Sequence, residues 1–302
     1  MRYFTSVLDK STNFSYNPFQ EYQFSRLSRK ATAMAIYSGK NSVVVGGTHG
    51  IGLEVAKALV SQGGRVVVSG RRAEPVESAA KELNEFAAGA ALVVQSDVTC
   101  MDSHAELEAS VKKHLAIDGT AAIDFLFINA AYAGLAPFKA VTEEMFDKHF
   151  NTNTRGPFFI AQRLTPYIRP GGSIVFTTSV SIGTGYPGMA AYSASKAAVY
   201  SLVQTLAAEL ARGEDGKQGI RVNAVSPGFV DTPTMGIIEA SKEEKEAFAD
   251  IGAKTSPMGR IAKPMEIAKA ALFLGFDATY TTGVEFVADG GSRYLSIQLE
   301  GH

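Results

Sequence analysis

The chain has 302 residues, 46% of them hydrophobic and 20% charged, which excludes a wholly disordered polypeptide and leaves room for one large α/β domain or two small ones. A formal net charge of -1 with no extended basic run lacks the electrostatic footprint of a nucleic-acid binder, so small molecules are the expected partners. Cys100 is the only cysteine, which excludes an intrachain disulfide framework and a cysteine-based zinc cluster and fits a reducing compartment; no metal site is expected.

Residues 1–38 differ in character from the rest of the chain. Tyr3, Phe4, Phe14, Tyr16, Phe19, Tyr22 and Phe24 are scattered among Ser, Asn and Gln with neither helical nor alternating periodicity, and no signal-peptide core is present. Cations outnumber acids here, so an organellar presequence, a disordered tail and an aromatic strap over the domain surface all fit this extension. The expected location is cytoplasmic, or organellar if the extension is a presequence. No apolar stretch approaches the ~18–20 residues of a membrane span, so a soluble protein is expected.

From Lys40 onward short β-rich runs alternate with longer amphipathic segments, the pattern of a parallel sheet covered by helices on both faces. Strands are predicted over 42–46, 65–70, 91–96, 123–129, 173–178, 220–225 and 284–287. Most are continuous runs of Val, Ile, Leu and Phe, as strands buried on both faces require. Helices are predicted over 50–62, 75–87, 102–115, 142–167, 190–211 and 264–274. The expected fold class is therefore α/β, a Rossmann-like doubly wound parallel sheet of about seven strands flanked by helices, in a single domain over 39–302. Between 231 and 258, Thr232, Pro233, Gly236 and a charged stretch break the rhythm, and an irregular substrate loop is expected there.

The first strand passes through Gly46-Gly47-Thr48-His49-Gly50-Ile51-Gly52 into a helix. Glycines permit tight turning and close backbone approach, and the exposed amides of a helix N-terminus attract pyrophosphate, so this turn is read as a dinucleotide cradle. Its spacing, Gly-x-x-x-Gly-x-Gly, departs from the Gly-x-Gly-x-x-Gly fingerprint. His49 is a polar or cationic neighbour of the cradle. The second strand ends in Ser69-Gly70-Arg71-Arg72, with no acid where one would meet a ribose 2′-hydroxyl. Two guanidinium groups suit a 2′-phosphate instead, which points to NADP(H) over NAD(H).

Tyr192 and Lys196 stand at i and i+4 of a predicted helix and share one face. Such a pair is a cheap match by itself. Ser179, 13 residues earlier at the end of a predicted strand, and Asn153 in the preceding helix make it specific.

In type, order and spacing these residues resemble the classical short-chain dehydrogenase/reductase family over 40–292. The resemblance is carried by Gly46-x-x-x-Gly50-Ile51-Gly52, Asp97-Val98, Asn129-Ala130-Ala131, Asn153, Ser179, Tyr192-x-x-x-Lys196, Pro227-Gly228 and Asp289-Gly290-Gly291. It implies Tyr192 as general acid or base, Lys196 lowering the phenol pKa and holding the nicotinamide ribose, Ser179 steadying the substrate oxygen, and Asn153 completing a water-linked proton relay. It also implies Asp97 beside the adenine amino group, Asn129 near the adenosine ribose, and Pro227 and Gly228 with Val230 and Thr232 around the carboxamide. Thr48, Val98, Ala130 and Ala131 complete the expected cofactor contacts. The chemistry is self-consistent: a free phenol with pKa of about 10 is a poor base at neutral pH, and a neighbouring ammonium plus the oxidised nicotinamide favour the phenolate. Proton transfer then accompanies hydride transfer. Two departures from the family pattern, Val45 before the first Gly and Ile128-Asn129-Ala130-Ala131 in place of Asn-Asn-Ala-Gly, touch support near the cofactor more than chemistry.

Tyr132, Leu135, Ile182, Tyr186, Met189, Phe229, Met235 and Ile238 are candidates for an apolar wall without a charged anchor. The expected activity is interconversion of a fairly hydrophobic ketone or aldehyde and its alcohol. A 3-oxoacyl thioester reductase and a sugar or polyol dehydrogenase share the same motifs. An NADPH-sensing regulator without turnover is the alternative of another class, and the intact Asn153, Ser179, Tyr192 and Lys196 set argues against it. Phe158, Phe159, Ala197, Ala198, Leu202, Ala207 and Leu210 lie beyond a single helical face and predict packing into a homodimer or homotetramer.

Overall fold

The structure, a computed structural model, describes residues 35–213, 216–235, 237 and 241–296. Ile238, expected in the substrate wall, and most of the N-terminal extension lie outside the described residues.

Seven strands form one parallel sheet: β1 (Asn41–Val45), β2 (Arg65–Gly70), β3 (Ala91–Gln95), β6 (Ile123–Ile128), β7 (Ile168–Thr177), β8 (Arg221–Pro227) and β9 (Glu285–Ala288). Their order is β3-β2-β1-β6-β7-β8-β9, so the chain runs outward from β1 to one edge and then returns to build the other half. The reversal between β1 and β6 is the switch point of a doubly wound sheet, the expected Rossmann-like architecture.

The alternation of side chains along each strand decides which core receives them. Val44, Val66, Val68, Phe125 and Phe127 enter one apolar core with helices α1 (Gly50–Ser61), α2 (Ala73–Phe86) and α9 (Pro264–Leu272). Val43, Val45, Val67, Leu126 and Ile128 enter the opposite core with α3 (Met101–His114), α5 (Gly156–Leu164) and α7 (Ala190–Leu210). Tyr37 closes the first core from upstream of residue 39, its ring 4.9 Å from Phe276. Leu202 and Leu210 pack against the second core and Ala207 lies within it, so only part of the apolar excess on α7 faces outward. Phe158 and Ala197 are exposed.

Two local expectations require correction, and two short elements come in addition. The helix predicted over 142–167 is α4 (Glu143–Phe150), a wide turn at Asn151–Arg155 with π-type hydrogen bonding, α5, and a 3-10 turn at Thr165–Tyr167. The loop expected over 231–258 contains α8 (Lys242–Thr255), opened by a capping box in which the Ser241 side chain accepts from Glu244 N and the Glu244 side chain accepts from Ser241 N. A short hairpin, β4 (Ala116–Ile117) with β5 (Thr120–Ala121), precedes β6. Its turn residues Asp118 and Gly119 have φ of 50° and 81°, as a primed two-residue turn demands. Finally, α6 (Ser181–Thr184) follows β7 where no helix was expected. Among the described residues no helix is long and apolar enough to cross a membrane.

Candidate active site

The carboxyl ends of β1, β2, β6, β7 and β8 open onto one cleft at the switch point. On one side lie Gly46, Thr48, His49, Gly50, Ile51, Arg71, Arg72, Asp97, Val98, Asn129, Ala130 and Ala131; Ser179, Tyr192 and Lys196 stand with Pro227, Gly228, Val230 and Thr232 in the same cleft. Two candidates do not line it. Gly52 packs behind the turn, where a side chain would collide with the Gly46 carbonyl and the Gly47 backbone, so its contribution is to bring α1 close to β1. Asn153 is buried, with 1% exposure, at the centre of the Asn151–Arg155 turn.

The Gly-rich turn has the shape of a cradle. Gly46 has φ of 76° and faces the Ala130 backbone at 2.6 Å from where a Cβ would stand, so both conformation and space demand glycine. Helix α1 then starts at Gly50 with no side-chain cap from His49 and no acid in its first turn. Its leading amides and the positive end of its dipole therefore face the cleft without an internal anion, and a pyrophosphate fits that donor set. His49 is a neutral member of the cradle: burial pushes its pKa below the ordinary value and the Arg72 guanidinium adds to this, against the cationic alternative. Asp97 spends one carboxylate oxygen on Thr99 N and Thr99 Oγ1, both at 2.8 Å, which fixes the turn after β3. Asn129 donates to the Gly46 carbonyl at 2.9 Å and accepts from Thr177 Oγ1 at 2.9 Å, tying the turn to the end of β7.

On the β7 side, the Ser179 hydroxyl stands with the Tyr192 phenol in the cleft and accepts from Ser181 N at 3.2 Å. Burial raises the phenol pKa, and the Ser179 hydroxyl pulls in the opposite direction. Lys196 is 2% exposed and its Nζ donates to the Thr177 carbonyl at 2.7 Å. Desolvation pushes this amine down to about 7. The expected effect of Lys196 on Tyr192 thus finds a competitor: burial acts on both groups and disfavours the charge on each. Asn153 donates to the Tyr132 carbonyl and to Ser195 Oγ, both at 2.9 Å, and accepts from Tyr132 N at 2.7 Å. Ser195 Oγ in turn donates to the Tyr192 carbonyl at 2.7 Å. The wide turn at 151–155 aims this side chain, joining the loop after β6 to the first turns of α7.

The remaining wall is apolar. Tyr132, Leu135, Tyr186, Met189, Phe229 and Met235 line it as expected, whereas Ile182, on α6, does not. Ile237 and Phe248 belong to it without having been foreseen. Phe248 arrives on α8 and packs 4.8 Å from Phe229, which meets Tyr186 edge-on at 6.0 Å. The four charged lining residues, Arg71, Arg72, Asp97 and Lys196, all come from the turn after β2, the turn after β3, or α7.

Known proteins resemble this chain in sequence and fold. A family model described as Enoyl-(Acyl carrier protein) reductase matches residues 45–293. Versicolorin reductase 1 of Aspergillus parasiticus is 33% identical over 266 residues, covering 84% of this chain and 96% of its own. A solved short chain dehydrogenase/reductase family protein superposes with a TM-score of 0.71 at 34% identity, over 86% of this chain and 99% of its own. The angucycline C-6 ketoreductase LanV with bound NADP superposes with a TM-score of 0.75 at 27% identity, over 85% and 96%. With its fold, its switch-point cleft and these relatives in agreement, the chain belongs to the short-chain dehydrogenase/reductase family and is an oxidoreductase of that family.

Proposed function

We propose that the protein interconverts a hydrophobic ketone or aldehyde and its alcohol with NADP(H), using Tyr192 as the proton donor or acceptor. The observation that carries this reading is the meeting of Ser179, Tyr192 and Lys196 in one cleft, at the border between the Gly-rich cradle and a wall without charged side chains. Gly46, Gly50 and the α1 amides would hold the pyrophosphate, Arg71 and Arg72 the 2′-phosphate, and Asn129, Lys196, Pro227 and Gly228 the remainder. When bound, the nicotinamide supplies or takes the hydride. Tyr192 gives its phenolic proton to the developing alkoxide or takes it from the alcohol, Ser179 donates to the same oxygen, and the apolar wall excludes water. The names of the relatives, which reduce versicolorin or an angucycline ketone, support a bulky apolar carbonyl over a sugar.

Acetophenone, tetralone and naphthoquinone set against glucose and an acetoacetyl thioester, each with NADPH and NADH, test the substrate and the cofactor together. Tyr192→Phe is expected to lower kcat by roughly 10²–10⁴-fold, the contribution of general acid catalysis, while NADPH still binds. Unchanged turnover in that variant would sink the assignment. The same reading includes assembly into a homodimer or homotetramer, supported by exposed Phe146 and Phe158 on α4 and α5. Sedimentation velocity of the full chain decides it; a monomer at micromolar concentration is the contrary result.

A further inference from the structure

Helix α4 carries a buried imidazole that the proposed reaction does not use. His149 has no exposed surface. Its Nε2 lies 3.0 Å from Gly134 N, and its Nδ1 lies 2.7 Å from the Met145 carbonyl one turn earlier on the same helix. An amide N–H only donates and a carbonyl only accepts, so the ring is neutral, with its proton on Nδ1 and its lone pair on Nε2. Burial holds its pKa below the ordinary value against the hydrogen bond to the Met145 carbonyl, and the Lys148 ammonium adds to the lowering.

The surroundings of this ring are the substrate side of the cleft. Gly134 lies between Tyr132 and Leu135, both of which line the wall. The imidazole stands 4.8 Å from the Tyr132 ring and meets the Tyr192 ring edge-on at 6.2 Å. Lys148 Nζ lies over Tyr132, 4.2 Å from its centroid. Asn153, one helical turn beyond His149, holds Tyr132 through both its N–H and its carbonyl. The loop after β6 is therefore fastened by two side chains from one helical run, at residues 132 and 134. His149 also stands edge-on to the Tyr192 ring.

We infer that His149 is a positioning residue, a neutral acceptor that fixes the Tyr132–Leu135 wall beside the Tyr192 phenol and so sets the affinity for the carbonyl substrate. This rests on the proposed oxidoreductase reading of the cleft. His149 bonds this loop at residue 134, whereas the Gly-rich cradle meets it at residues 129 and 130, so the larger effect is expected on the carbonyl substrate.

Asn and Gln separate the two nitrogens. A Gln side-chain oxygen reaches the place of Nε2 and keeps an acceptor for Gly134 N–H, whereas an Asn side chain is too short and leaves that amide unpaired. His149→Asn is expected to raise KM for the best ketone of the panel by about tenfold, the cost of an unpaired amide, with kcat within about threefold and the NADPH Kd unchanged. His149→Gln is expected to restore KM, and hydrogen exchange at Gly134 is expected to be fast in the Asn variant and slow in the Gln variant. Equal KM in wild type and His149→Asn overturns the positioning role, as does a parallel loss of kcat, substrate affinity and NADPH binding in both variants. Wild-type protein that binds NADPH without turning over any carbonyl overturns instead the oxidoreductase reading on which the role rests.

Discussion

Burying Lys196 beside Tyr192 costs stability, and the sign of that cost can be followed with pH. Its amine is pushed from the ordinary 10.5 down to about 7 because burial disfavours the charged form. Above 10.5 the amine is neutral in both folded and unfolded chains, and no penalty arises. Between those values the unfolded chain binds a proton that the folded one refuses, so stability falls as pH falls; below about 7 the penalty is complete. At 1.36 kcal/mol per pH unit the full interval corresponds to roughly 5 kcal/mol. Lys196→Met, which loses the bond to the Thr177 carbonyl but fills the same space, is therefore expected to abolish turnover and yet stabilise the fold by about 1–4 kcal/mol near neutrality. Thermal unfolding of both proteins across this range checks it: the gain should be greatest below about 7 and close toward 10.5, while a constant difference would show that the amine does not titrate there. That Tyr192, Lys196 and Ser179 meet in one cleft was legible because their spacing survives as sequence. The partners of Asn153 were not, since Tyr132 and Ser195 lie 21 and 42 residues away and only the wide turn at 151–155 brings them into its reach.

Elements whose hydrophobic period is strong were legible, and those stabilised by turn chemistry were overlooked. The strands of the central sheet are runs of apolar residues that no helix could bury on one face. Helix α8 escaped because Lys242, Glu243, Lys245 and Glu246 give it a polar character, although Ser241 and Glu244 spelled out its N-terminus. Asp118-Gly119 spelled out the small hairpin in the same way. The break after Phe150 had a weaker mark in Gly156 and Pro157, residues suited to a helix start. The cap of α8 matters to the site because the helix delivers Phe248 to the apolar wall. Ser241→Ala removes the acceptor for Glu244 N, at a cost of about 1 kcal/mol to the helix. The expected result is faster hydrogen exchange over the first turn of α8 and a KM for the apolar ketone raised by about three- to fivefold, as about 1 kcal/mol implies, with the NADPH Kd unaltered. A change confined to NADPH binding would contradict the placement of α8 on the substrate side.

Across the whole molecule, the proposed cofactor and carbonyl sites lie on opposite sides of one switch point, with Arg71, Arg72 and Asp97 on the cofactor side. The chain has a formal net charge of only -1, so it presents no large overall field to steer a polyanion. Any preference for the 2′-phosphate must come from local groups. Arg71 and Arg72 follow β2 with exposed side chains, and His49 beside them is held neutral by burial and by Arg72. Two charge-assisted hydrogen-bonding groups, each worth about 1.5–3 kcal/mol, would then carry the whole of the discrimination. Replacing both, Arg71→Ser with Arg72→Ser, is expected to raise KM for NADPH by about 10²-fold or more while KM for NADH changes by less than about threefold. Salt provides the independent check, because contacts between exposed charges are screened within about 10 Å at 0.1 M. NADPH affinity of the wild type should fall with ionic strength more steeply than NADH affinity, and in the double variant the two dependences should coincide. Equal salt dependences already in the wild type, or a double variant that loses both cofactors alike, would mean that these arginines support the turn after β2 rather than read the phosphate.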